Sequence, residues 1–282
     1  KDIYKRTIAC GYRSFVIWYN IVTMHRKIIL FFIMALYYAL GTYALYIFDA
    51  GLLMSSLVLF GIPALALSHF TLAPPAVLIS IALLGSGVAV LFEGTAHIYG
   101  LWYSIGITEA RLFGLIPVEM LLATTVQVLF LGLLYEVLFD DGVYTPRSAW
   151  ERMIFFGVFG VAVLVLIGLH QYVFSGIFLS YSYLWIIGAV VASALAALSL
   201  HKDLSVTFFD KIIDFTLVAS IPLAISLWIS STNVHKVFAY SNEYIGTFVL
   251  YGQPVPLEEI VLIFALPFFV GTMYEIYLDD RS

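Results

Sequence analysis

The sequence predicts an all-α, polytopic membrane bundle of about eight transmembrane helices, arranged as two parallel four-helix repeats. Three observations carry this. First, 62% of the 282 residues are hydrophobic and only 11% are charged, with a mean hydropathy of +1.02. A soluble domain carries about a quarter charged residues, so a water-soluble globule and a disordered chain are excluded. Second, the chain falls into long uncharged runs. Third, it resembles itself at an offset of 139 residues. The formal charge of −5 has the wrong sign for a polyanion-binding surface, so no nucleic-acid partner is expected. The single cysteine, Cys10, cannot close an internal disulfide.

A helix needs about 20 mostly apolar residues to cross the hydrocarbon, and it satisfies its own backbone hydrogen bonds there. The segment Ser14–Thr23 is too short and is expected in the interface or packed on the bundle. Spans are then predicted at Ile28–Phe48, Ala50–Ser68, Pro75–Phe92, Leu112–Leu138, Met153–Leu169, Ile177–Leu200, Ile212–Val234 and Val255–Leu278. Pro75, Pro117 and Pro256 fall at or near first turns, where a missing N–H costs nothing. The runs lack the two-residue alternation of a membrane β-barrel. Basic residues gather before the first span, and most of the remainder fall in loops on the same side. Only Arg111 and Lys236 lie opposite, which predicts a cell-membrane protein with both termini cytoplasmic.

The offset pairs Pro117 with Pro256, Glu119 with Glu258, Gly132 with Gly271, Tyr135 with Tyr274 and Glu136 with Glu275. It also pairs Asp140 and Asp141 with Asp279 and Asp280. These seven residues are polar or conformationally special, which a merely greasy sequence would not repeat. Residues 1–141 and 142–282 are therefore expected to be two repeats. An even number of spans in each gives them the same orientation, related by an axis along the membrane normal.

Acids beyond the first turn of a lipid-embedded helix cost about 2.5–3.5 kcal/mol near the bilayer centre and less toward its edge. Glu119 and Glu258 should lie at matching depths on opposite sides of a shared cavity, with Glu259 beside the second and Met120 in its place in the first. The four aspartates fall beyond helix ends and read as structural. A buried carboxyl favours its neutral form, the form a general acid needs, while a second, ionised carboxylate can accept a proton. Before the first Pro-X-Glu lie Glu93, His97, Trp102 and Tyr103; before the second lie His235, Tyr240 and Tyr244. Aromatic faces stabilise cations, but Trp and Tyr also collect at membrane edges without any catalytic task.

A Gly-x-Trp-Tyr segment at Gly100–Tyr103, answered in the second half by an aromatic stretch without the Trp, and Pro-(Val/Leu)-Glu opening a membrane helix in both halves resemble the lycopene cyclase domain of the fused or heterodimeric type. The resemblance covers Phe92–Glu136 and His235–Glu275, with Pro256-Leu257-Glu258-Glu259 its strongest piece. It implies an isomerase-type intramolecular lyase that closes rings, most often β-ionone, on the ends of linear lycopene or a related carotenoid drawn from the surrounding membrane lipids. An acid protonates the terminal double bond, a neighbouring double bond attacks the tertiary cation, and a base removes a proton. On this chain the resemblance assigns acid–base chemistry to Glu119, Glu258 and Glu259. Trp102 and Tyr103 become walls that stabilise the cation.

No metal or cofactor is called for. The six histidines are at least 28 positions apart, every lysine lies outside the spans, and Gly85-Ser86-Gly87 lacks the rest of a dinucleotide fingerprint. The competing readings are a parallel-repeat transporter or lipid-binding protein, and a carotenoid hydratase that quenches the same cation with water. Oligomeric state, including a homo-oligomer, stays open.

Overall fold

The computed structural model describes residues 25, 27–71, 73–104, 109–112, 114, 116–140, 181–200, 206–238 and 244–278. Ser14–Thr23, Met153–Leu169, Tyr240, Asp141, Asp279 and Asp280 lie outside the described residues. Residues 1–41 and 42–282 form two compact units, and the first helix, α1 (Lys27–Ile47), runs from one into the other.

The second unit is built from α2 (Leu52–Ser68), α3 (Pro75–Tyr99), α4 (Val118–Leu138), α5 (Ser182–Leu200), α6 (Val206–Thr232) and α7 (Leu257–Met273), the last extended by a π-turn over Tyr274–Leu278. Among the described residues five helices are long and apolar enough to cross a membrane, namely α1, α3, α4, α6 and α7. The segments predicted as spans at Ala50–Ser68 and Ile177–Leu200 contain shorter apolar helices, Leu52–Ser68 and Ser182–Leu198. In α2 a π-turn at Leu57–Gly61 leads into Pro63. Proline offers no N–H to the ladder, and a wider turn absorbs that loss.

Glycines set the helix spacing. A Cβ at Gly85 would stand 3.0 Å from the Thr125 Cα and from the Val128 Cβ, and one at Gly132 would stand 2.9 Å from Ile81, so α3 and α4 approach closely. A Cβ at Gly271 would stand 2.8 Å from Phe215, giving α6 and α7 the same intimacy. Small residues at such contacts are what membrane helices use to gain packing where lipid gives no hydrophobic drive.

The all-α expectation needs one correction. Among the described residues six short strands form three antiparallel pairs: β1 (Trp102–Ser104) with β4 (Lys236–Phe238), β2 (Arg111–Leu112) with β3 (Ile116–Pro117), and β5 (Thr247–Leu250) with β6 (Gln253–Pro256). Backbone between helices has no water partner near the hydrocarbon and must pair internally. The β5–β6 turn is Tyr251-Gly252, with φ 51° and 79°, the two positive values a tight primed hairpin turn requires.

Side-chain contacts define two ends of the bundle. At one, His235 and Asn233, just beyond α6, reach the Ala50 carbonyl at 2.7 and 3.1 Å, and Lys236 reaches Glu259 at the start of α7. At the other, Lys211 near the start of α6 meets Glu275 at 3.1 Å and Asp140 at 3.5 Å, while Thr71 after α2 donates to Glu136 at 3.1 Å. There the Tyr135 hydroxyl donates to Glu275 at 2.5 Å and the Tyr274 hydroxyl to Glu136.

Candidate functional site

The site is framed by two helix ends of the same design. The chain leaves α3 through Gly100 (φ 63°), with the Leu101 N–H returning to the Ala96 carbonyl at 2.9 Å. It leaves α6 through Val234 (φ 52°), with the His235 N–H returning to the Ser230 carbonyl at 2.9 Å. A left-handed residue is the ordinary helix stop, and glycine takes it freely. A β-branched valine there is strained. Two residues past each stop the chain enters β1 or β4, so Trp102 and Lys236 occupy matching places. The register pairs Trp102 with Phe238, Tyr103 with Val237 and Ser104 with Lys236. The Lys236 ammonium consequently lies over the Trp102 ring, 4.3 Å from its centroid.

Below this strand pair is a cavity of about 150 Å³. Three helices line it with one repeating pattern, at positions i, i+3, i+4 and i+7, the stripe of one helical face. On α4 these are Met120, Ala123, Thr124 and Gln127; on α6 Leu223, Ser226, Leu227 and Ser230; on α7 Glu259, Leu262, Ile263 and Leu266. The α4 and α7 sets stand at the 139-residue offset, member for member. α2 adds Ser55, Ser56 and Phe60, and α3 adds Val88, Phe92 and Glu93.

The expected opposition of Glu119 and Glu258 across this cavity is not found; the acids that line it are Glu93 and Glu259. The reason is helical phase. Glu119 and Glu258 precede Met120 and Glu259 by one residue, a rotation of about 100°. Both are buried nonetheless, at 4% and 1% exposure. Glu258 ties down the adjacent hairpin, its Oε1 accepting the Ile245 N–H at 2.7 Å, while its Oε2 makes no hydrogen bond among the described residues.

Glu93 is buried and accepts hydrogen bonds from Trp102 Nε1 at 3.3 Å and from Ser104 Oγ at 3.3 Å. Glu259 is ion-paired with Lys236 at 3.4 Å. Trp102 is buried against Tyr183, 4.9 Å between ring centroids, and Phe238. His235 lines the cavity and is held to the Ala50 carbonyl. Burial holds its imidazole below the usual range, against smaller opposing effects of the Ala50 carbonyl and Asp49. Tyr244 is buried, its hydroxyl donating to the Leu101 carbonyl.

Two residues singled out in the sequence, the expected wall residue Tyr103 and the substrate-binding candidate His97, stand apart. Tyr103 is 59% exposed, because alternation along β1 turns it away from the face that holds Trp102 and Ser104. His97 is outside the cavity lining; its Nδ1 bonds the Glu93 carbonyl at 2.8 Å and its Nε2 faces Arg111 at 3.5 Å. Sequence reasoning missed Lys236, Tyr183 and Phe238 as site residues. The distance of Lys236 beyond its helix stop, equal to that of Trp102, was the available signal. Among the described residues no group of three or more His, Cys, Asp or Glu side chains is arranged to hold a metal ion.

The chain matches no protein-family model, no curated protein and no solved structure.

Proposed function

We propose that the protein is a membrane carotenoid cyclase that closes ionone rings, most often β, on the ends of linear lycopene. The observation that carries the reading is the convergence of Glu93, Glu259 and the Trp102 indole on one cavity. A cavity of about 150 Å³ is the size that holds a benzene molecule. It suits one six-membered end group, with the remainder of a long polyene left toward the bilayer. In this reading Glu93 is the acid and Glu259, paired with Lys236, the base. A proton passes from the Glu93 carboxyl to the inner CH carbon of the end double bond, leaving a tertiary cation on the outer, dimethyl-bearing carbon. The next double bond supplies an electron pair to form the ring bond, and Glu259 takes a proton from the ring to set its alkene. Return of that proton to Glu93 closes a cycle without redox change. The ammonium already resting on the indole supports the site's capacity to hold positive charge. Glu119 and Glu258 are buried outside the lining, and Glu258 is a positioning residue that ties down the hairpin beside it.

The same reading takes the chain as eight spans in two parallel four-helix repeats, residues 1–141 and 142–282, in the cell membrane with both termini cytoplasmic. Support comes from the matched cavity faces of α4 and α7 and from the Tyr135–Glu275 and Tyr274–Glu136 bonds, in which equivalent residues exchange partners.

The test is expression in a lycopene-accumulating bacterium with chromatography of the pigments. Wild type is expected to give cyclic product. Glu93→Gln and Glu259→Gln should each lower conversion by about 100-fold or more. Glu119→Gln and Glu258→Gln should keep conversion in proportion to folded protein. Unchanged lycopene beside well-folded wild-type protein overturns the cyclase reading, and full conversion by both Glu93→Gln and Glu259→Gln overturns the acid and base.

A further inference from the structure

We propose that the cavity contains a subsite for a neutral hydroxyl oxygen, one helical turn below the carboxylates, formed by Ser56, Thr124 and Ser226. The ligand class then becomes an isoprenoid end group accompanied by an OH, either its own or a water's. The isoprenoid part of this rests on the cyclase reading; the oxygen is argued from different residues.

Hydroxyls inside membrane helices ordinarily bond back to the carbonyl one turn earlier. Thr125 does so to Leu121 at 2.7 Å, Thr216 to Ile212 at 2.7 Å, and Ser231 to Leu227 at 2.9 Å. Thr124, Ser226 and Ser230 lie on the same helices and face the cavity, and among the described residues none of the three makes that bond back to its own helix. Ser56 and, a further turn down, the amide of Gln127 also face the cavity without a side-chain hydrogen bond among the described residues.

Depth follows from helix rise. Thr124 and Ser226 stand four residues, about 6 Å, along their helices from Met120, which matches Glu259 at the 139-residue offset, and from Ser230. At that depth α7 offers only Leu262 and Ile263, although α7 matches α4 elsewhere in the stripe. The polar wall is therefore confined to α2, α4 and α6. A hydrocarbon filling the cavity would leave these hydroxyls dry and unbonded, at a free-energy loss for each. A hydroxyl both donates and accepts, so it can serve several of them at once. The described cation lining the cavity, Lys236, lies above with Glu93 and Glu259, so nothing at this depth favours a phosphate or carboxylate.

The test uses the full chain in lipid nanodiscs, titrated with farnesol and with farnesene, the same chain without the hydroxyl, and read by tryptophan fluorescence. Wild type is expected to bind farnesol about tenfold tighter. Thr124→Val with Ser226→Ala should bring the ratio within about twofold while farnesene binding persists, which also shows that the variant folds. Ser226→Ala alone should give an intermediate ratio. Turnover of lycopene in ¹⁸O-water distinguishes the sources. Label in the product identifies the oxygen as water; a farnesol preference without label identifies it as the ligand's own. Equal affinity in wild type without label, or a preference undiminished in the double variant, overturns the subsite. Untouched lycopene with the farnesol preference intact overturns the cyclase reading alone.

Discussion

The two ends of the bundle use acids in opposite ways. At the end away from the cavity, Glu136 receives Tyr274 and Thr71, Glu275 receives Tyr135 and Lys211, and Asp140 faces the same lysine. Each acid there is engaged by partners from another helix or from the segment after α2, and the result is a clasp. At the cavity end Glu93 and Glu259 have partners on one side and empty space on the other. The two sets of acids thus differ in whether their surroundings leave a face uncovered.

That contrast can be broken by substitution. The largest effects fall on activity at the cavity end, where Glu259→Gln is expected to remove conversion about 100-fold with little change in melting temperature. Next come losses of stability at the clasp and in the packing near it. Tyr274→Phe should destabilise by about 1.5–3 kcal/mol, since it leaves a buried Glu136 oxygen without its donor. Gly271→Ala, which drives a methyl to 2.8 Å from Phe215, should cost about 1–3 kcal/mol. Thermal unfolding in detergent measures both, and pigment per folded molecule should stay near wild type. A smaller, opposite change is expected from Val234→Gly. Relief of the φ 52° conformation should stabilise by about 1 kcal/mol, read in the same melts.

The smallest effect is one of pH. His235 binds a proton less readily when folded than when unfolded, because it is buried. The unfolded chain therefore takes up more protons as pH falls below about 6.5. The stability that neutral His235 contributes is complete above that value and is lost progressively below it. Melting temperature should decline from pH 7 to 5.5 more steeply in wild type than in His235→Gln. Equal slopes would remove His235 as the cause.

Much of the scaffold is legible in the sequence, because an uncharged run of about 20 residues has few other uses. The 139-residue offset also located α4, α7 and the residues of the clasp. The face each helix turns inward was not legible. Helices that are apolar all round carry almost no amphipathic signal, so the one-residue difference between Glu258 and Glu259 could not be resolved. The β1–β4 pairing was hidden for another reason. Strands of three residues show no period, and their partners are separated by more than 130 positions. With that pairing unseen, Lys236 could not be set on Trp102. The second hairpin turn, Tyr251-Gly252, lacks the Asn-Gly or Asp-Gly pair that announces such turns.

The crossed bonds of the clasp have a consequence for assembly. The phenol on each side donates to the acid of the other, so α4 and the C-terminal turn of α7 depend on one another at that end. Two fragments cut between them and produced together should seek one another.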